Sequence, residues 1–540
     1  MKSCYRKRII SGSVFFIFWF GLILYALYFS ATAAPIKGFD YRLPFAAGSL
    51  FLAFGSFWVY WRTVVKKTEL YKLYIVMSFV VLSLLLWTQT PLHHHDNQFH
   101  YDSTYVLSNM IMGHDTQVGI WGGRVEEYER RGCDVFRQYA AFENFPQAYA
   151  DMQENMFAKP FSDNSDMVRM EPYLRFVSEP LYFYLPQALG FCLARILNLN
   201  VHWLLYLGRA FVAITCVWIT GRAIRNTPVY KEIFLVCGLI PTTILSYVTV
   251  SRDALILAFS FYFISKCFQM LYEDKKHNFW DYLFWISSIL LLAPYKFVYI
   301  PLIVLFGFFV IKNGRLGKPD VKKIALIIAA VLGILLFFCV INYDYILKYL
   351  TGANKSSLGQ GGPFTIPYML SNPVRTAAVV VRTILLSTIR YAANMIAIGD
   401  YGGGIHKEMV LVEAVFIMII ILWTNRKSEN DFLLPAAERI IIVLGWLLVS
   451  AMIYLAYLTL TPVTNDVIIG IQGRYFTPVL PLMLISFCSF KGIKNIENKT
   501  WTGITEVFNT EETRSLVYLG IYGLALVVAV NMYVWVIAFI

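Results

Sequence analysis

Four short stretches of this chain carry side chains able to do chemistry. The first is Pro91-Leu92-His93-His94-His95-Asp96-Asn97-Gln98-Phe99-His100-Tyr101. Asp96 is a candidate general base, because a carboxylate where an apolar run meets water can take the proton of an incoming hydroxyl. Asp102 is the rival base, and Asp115 is more remote. The histidines could hold a divalent metal beside Asp96. Three consecutive histidines cannot all point at one ion from a regular helix or strand, so a metal is not favoured and no cofactor is assigned. His100 is kept as a substrate contact. The second stretch is Ser251-Arg252-Asp253, in which Arg252 could meet a phosphate and Asp253 could orient an arginine or an acceptor. The third is Lys296, flanked by Pro294 and Tyr295. The fourth is Gly470-Ile471-Gln472-Gly473-Arg474-Tyr475-Phe476. A planar guanidinium matches phosphate oxygens bidentately, which suits Arg474, with Gln472 and Tyr475 beside it. Each stretch also has a bland reading: a solvated loop acid, a helix cap or local ion pair, a snorkelling lysine, an interfacial arginine.

Something must position these residues, and composition says what. Of the 540 residues 58% are hydrophobic and 15% charged, with mean hydropathy +0.57. Soluble domains carry about 25% charged residues. The apolar excess falls in blocks of about 15–25 residues, the length that crosses a hydrocarbon core. The fold class is therefore all-α, a polytopic transmembrane helical bundle in the lipid bilayer. The net charge of +12 sits mostly in short loops, where a positive-inside bias explains it. No basic run interleaved with stacking aromatics marks a soluble domain, so nucleic acid is rejected as a partner. The 8 cysteines form no CxxC pair and fall mostly inside apolar runs, which reads as buried small hydrophobes.

Counting apolar runs and orienting them by Lys/Arg gives about 13 spans with a cytoplasmic N-terminus. Residues 1–87 hold three spans, the third ending at Trp87. Residues 88–202 form a long outer loop with interfacial helices. Pro180–Leu197 belongs to it as an interfacial or re-entrant helix, since a further crossing there would put Arg222, Arg225, Lys231 and the Lys312–Lys323 cluster outside. Spans 4–9 occupy 203–341, including Ile233–Val250 and Phe297–Ile311. Residues 342–407 form a second outer segment, in which Val374–Ile398 carries Arg375, Arg382 and Arg390 and reads as interfacial. Spans 10–13 fill 408–540, with Tyr475–Phe490 the twelfth. Under this topology all four stretches face the outer side. No inverted repeat is visible, which weakens a transporter reading.

Several local patterns resemble the GT-C superfamily of polyprenyl-phosphate-dependent glycosyltransferases. Closest is a bacterial membrane family filed only as a domain of unknown function. The residues carrying the resemblance are Asp96…His100, Glu179-Pro180…Tyr184-Leu185-Pro186…Gly190, Gly208-Arg209, Pro241…Ser251-Arg252-Asp253, and Gly470…Arg474-Tyr475-Phe476…Pro478, across roughly residues 75–490. The resemblance implies that Asp96 is the general base. The family usually shows an Asp-Glu pair followed by His; here Asn97 stands in the Glu position. It also implies a sugar transferred from a polyprenyl-phosphate donor to a cell-envelope glycan or glycolipid acceptor, at the outer face of the bacterial cytoplasmic membrane. A departing phosphate needs no protonation, so one base suffices for inverting displacement, with Arg474 and Arg252 or Lys296 steadying the phosphate charge. Two other classes are weighed against this. A transporter or flippase of lipid-linked glycans predicts charges deep inside several spans. A non-catalytic envelope-assembly protein predicts that Asp96→Asn is silent.

Overall fold

The computed structural model describes residues 42–88, 97–114, 128–131, 167–170, 181–273, 297–315, 361–396, 434–488 and 511–538, with scattered positions at 21, within 321–340 and within 414–421. The described chain is overwhelmingly helical. Its helices are α1 (Arg42–Tyr60), α2 (Leu70–Thr88), α3 (Asn97–Met112), α4 (Leu185–Ile196), α5 (Val201–Asn226), α6 (Lys231–Leu239), α7 (Pro241–Tyr247), α8 (Asp253–Tyr272), α9 (Gly307–Arg315), α10 (Ile366–Ser371), α11 (Pro373–Ile396), α12 (Ala436–Leu458), α13 (Leu480–Ser486) and α14 (Glu511–Ala538). Among them α2, α5, α8, α11 and α12 are long and apolar enough to cross a membrane. Among the described residues, strand pairing occurs in an antiparallel ribbon of Tyr128–Arg131 with Met167–Met170 and in an isolated bridge between Pro363 and Pro462.

α8 is the enclosed helix, with 83% of its apolar window buried against 22% for both α11 and α12. α5 lies at the centre of one half of the bundle, packed by α4, α8 and α2. In a bilayer the attraction between helices comes from close packing rather than from escaping water. The α4–α5 crossing shows this. A Cβ on Gly190 would lie 2.6 Å from the Leu207 carbonyl oxygen and 2.8 Å from Gly208 Cα, and one on Gly208 would lie 2.5 Å from the Phe191 ring. The backbones meet at a distance that only glycine permits.

α4 follows a 3-10 turn, Leu181–Tyr184, and has Pro186 in its first turn. Proline is tolerated there because the missing N–H has no helical partner anyway. The helix has 12 residues, a rise of about 18 Å against a hydrocarbon core of about 30 Å. A tight turn sends the chain into α5. Asn198 takes a left-handed φ of 53°, and the Asn200 side chain caps α5 by accepting from the His202 and Trp203 N–H groups at 3.1 and 3.3 Å.

Prolines also break three runs that the sequence presents as uniform spans. Ile233–Val250 divides into α6 and α7 at Pro241, with Ile240 extended before it, as the residue ahead of proline prefers. Phe297–Ile311 begins as a 3-10 helix, Phe297–Phe306, around Pro301, and only then becomes α9. Tyr475–Phe490 begins inside a further 3-10 helix, Gly473–Val479, holding Pro478, which passes into α13.

The segment expected to be an interfacial helix, Val374–Ile398, forms α11 over Pro373–Ile396, 24 residues that are long and apolar enough to cross a membrane. A loop after α12 straps it: Arg375 Nη1 donates to Asp466 Oδ1 at 2.8 Å, Arg382 lies 3.3 Å from Oδ2, and the Ile468 N–H donates to Thr383 Oγ1 at 2.8 Å. The Arg375 guanidinium holds the Asp466 carboxyl below the ordinary carboxylate range. A lowered folded-state value means that the strap persists through neutral and mildly acidic pH and is lost as pH falls through that value. Protection from hydrogen exchange over residues 461–472, relative to the intrinsic rate at each pH, should therefore fall as pH drops through the Asp466 value, and Asp466→Asn should lower that protection at neutral pH.

Candidate functional site

The site is built where α8 begins and where the Gly473–Val479 helix passes it. Thr242, Ser246, Asp253, Ile256, Leu257, Tyr299, Arg474, Tyr475, Thr477 and Pro478 line a polar cavity of about 20 Å³. That is room for one water or one oxygen of a larger group. Asp253 and Arg474 thus bring opposite charges to one small enclosure. Arg474 is 8% exposed, and its guanidinium carbon lies 5.5 Å from the Tyr475 ring. Tyr475 stacks on Tyr457 at 5.3 Å. Its carbonyl accepts a hydrogen bond from Tyr299 Oη at 2.9 Å.

The two glycines of the Gly470…Arg474 stretch do different jobs. Gly470 has φ 83°, a left-handed turn that a side chain would strain. Gly473 lies against α11: a Cβ there would sit 2.4 Å from the Tyr391 carbonyl oxygen and 2.6 Å from Asn394 Cβ. Two further bonds tie the cavity wall to the same part of α11. Thr242 Oγ1 donates to the Asn394 carbonyl at 3.2 Å, and Thr477 Oγ1 to that of Met395 at 3.4 Å.

Behind this wall lies a second space of very different character. An apolar cavity of about 570 Å³ runs between α11 and α12, lined among others by Val380, Ile384, Tyr391, Trp446, Leu455 and Phe476. Tyr391, Tyr454 and Phe476 form an aromatic cluster at its edge, with ring centroids 6.0 to 6.5 Å apart. One short 3-10 helix therefore serves both spaces. Arg474, Tyr475 and Thr477 face the polar one, and Phe476 faces the apolar one.

Asp253, Arg474 and Tyr475 come together as the sequence suggests. Gln472 stands just outside, half-buried at the start of the 3-10 helix, and its Oε1 has no hydrogen-bond partner among the described residues. Arg252 supplies the residue before α8 and does not line the cavity. His100, expected to touch substrate, is buried in the first turn of α3, and both ring nitrogens are engaged within the protein. Nδ1 lies 2.7 Å from Tyr184 Oη, and Nε2 lies 3.2 Å from Ser251 Oγ. Asp102 is 1% exposed, which closes it off from any dissolved acceptor. Asp96, Lys296 and the His93–His95 run lie outside the described residues. Among the described residues no three His, Cys, Asp or Glu side chains gather as a metal site would require.

A family model described as predicted membrane protein (DUF2142) matches residues 79–483, well over half of the chain. The chain belongs to the DUF2142 family. The family region begins within α2 and ends within α13, so it includes every cavity-lining residue of this DUF2142 protein. No curated protein and no solved structure matches the chain.

Sequence reasoning missed Tyr299, Tyr457 and Thr242, which reach the site only through folding. Gln187 and Arg209 left a readable signal, a polar and a charged side chain inside apolar runs, where such groups are costly.

Proposed function

We propose that this protein is a membrane glycosyltransferase of GT-C type, taking a sugar from a polyprenyl-phosphate donor and passing it to a cell-envelope glycan or glycolipid. One observation carries the reading: a small cavity lined by charged and polar residues and a much larger apolar cavity share the helix Gly473–Val479. An amphiphile with an anionic head and a hydrocarbon tail needs both, side by side. A cavity of about 570 Å³ is in the size range of small-molecule sites, about 300–1,000 Å³. In this reading the chain crosses a bacterial cytoplasmic membrane about 13 times from a cytoplasmic N-terminus, and the site faces outward.

The chemistry needs few groups. Asp96 takes the proton of the acceptor hydroxyl, and the freed oxygen attacks the anomeric carbon. The bond from that carbon to the phosphate oxygen breaks, and the electron pair leaves with the lipid phosphate. Arg474 meets the charge that develops there, while Asp253 keeps the guanidinium oriented. Support for including Asp96 comes from its chain neighbour α3. His100 in the first turn of α3 is hydrogen-bonded to Ser251, two residues from Asp253.

The test is envelope glycan composition in a strain carrying Asp96→Asn at normal protein abundance. Loss of one sugar from a defined polymer is the expected result. Unchanged sugar content would remove the catalytic assignment.

A further inference from the structure

The turn that delivers Asp253 is held by three side chains from three other helices. Arg209 Nε of α5 donates to the Val248 carbonyl at 2.6 Å. Gln187 Nε2 of α4 donates to the Ser251 carbonyl at 3.2 Å. His100 of α3 meets Ser251 Oγ, which in turn accepts the Asp253 N–H at 3.1 Å. All three residues are buried, Gln187 completely, and none lines the cavity.

Their burial is not explained by packing. Gln187 Oε1 and Arg209 Nη2 have no hydrogen-bond partner among the described residues. A buried polar atom left that way carries a cost that an aliphatic side chain would avoid. What these side chains supply in return is directional. They grip the first and last carbonyls of the Val248–Ser251 turn from the α4–α5 hairpin, whose own crossing is fixed by the contact of Gly190 with Leu207 and Gly208.

We infer that Gln187, Arg209 and His100 are positioning residues: they set the direction in which Asp253 enters the cavity and, through it, the orientation of Arg474 toward a lipid phosphate. This rests on the assignment of that cavity to the donor phosphate. It also gives a role to residues that otherwise look like isolated polar intrusions in apolar helices.

Farnesyl phosphate serves as the probe, titrated into the purified full-length protein in detergent at pH 8 and pH 6, with thermal melts in parallel. Gln187→Leu should weaken binding roughly fivefold at both pH values, the loss of about one hydrogen bond. Gln187→Glu separates aim from bulk. Its carboxylic acid donates to the Ser251 carbonyl when protonated and repels it when ionised. Burial favours the neutral carboxyl, so the loss relative to wild type should be smaller at pH 6 than at pH 8. Gln187→Leu binding like wild type, while Arg474→Gln binds weakly, overturns the inference alone. Equal loss for both Gln187 variants at both pH values, with lowered melting, also overturns it, since the role is then general stability. Arg474→Gln binding like wild type overturns the cavity assignment, and the inference with it.

Discussion

Replacing Arg474 by glutamine is expected to cut sugar transfer from a polyprenyl-phosphate donor by about 10²- to 10³-fold, the usual effect of removing one group that meets developing negative charge. The size follows from the surroundings. Arg474 is almost fully buried, and its cavity holds about 20 Å³, so little water can take over its task. Low local polarizability makes each charge count for more than it would in water. Arg474→Lys is expected to fall between the two. A lysine keeps the charge but loses the flat, forked donor set, and it would stack less well over Tyr475. The measurement is transfer of a radiolabelled sugar in vesicles holding purified protein. Full activity of the glutamine variant would end the leaving-group role for this residue.

The second large effect is expected at Gly473. Alanine there places a methyl group 2.4 Å from the Tyr391 carbonyl oxygen, 2.6 Å from Asn394 Cβ and 2.7 Å from the Asn394 carbonyl carbon. Two of these atoms belong to the backbone of α11, so no side-chain rotation relieves the clash. The 3-10 helix or α11 must shift. Overpacking of this kind costs about 1–3 kcal/mol and sometimes more, and Gly473→Ala should lie at the upper end. The displacement acts on both cavities at once, because the helix Gly473–Val479 is the wall between them. Gly473→Ala should therefore lower the melting temperature in detergent and abolish transfer. Gly470→Ala acts differently: its cost is one left-handed turn, and the cavities should survive. Finding the two variants alike would contradict the wall role.

Much of this site was legible in the residues themselves. The Gln472-Gly473-Arg474-Tyr475 run announced close backbone approach, which Gly473 shows against α11, and its arginine lines the small cavity. Ser251-Arg252-Asp253 announced a charged helix start, and α8 begins there. The alternation of neighbours was not legible. A 3-10 helix puts successive side chains about 120° apart, so Arg474 and Phe476 can serve different spaces. Reading 475–490 as one uniform span conceals that division. Proline supplied the hint, at Pro478 as at Pro301 and Pro241, but its outcome depends on what packs alongside. His100 shows the opposite failure. A histidine near a membrane edge suggests ligand binding, yet the fold spends its ring on Tyr184 and Ser251. Distance along the chain, 84 and 151 residues, kept those partners out of sight.

The brevity of α4 has a consequence for how the protein is made. A 12-residue helix that carries Gln187 and Arg195 is too short to cross a hydrocarbon core of about 30 Å on its own; α5 backs it through a glycine-to-glycine crossing. α4 and α5 are therefore expected to enter the fold as one hairpin, ahead of the later-synthesised Val248–Ser251 turn that Arg209 and Gln187 hold.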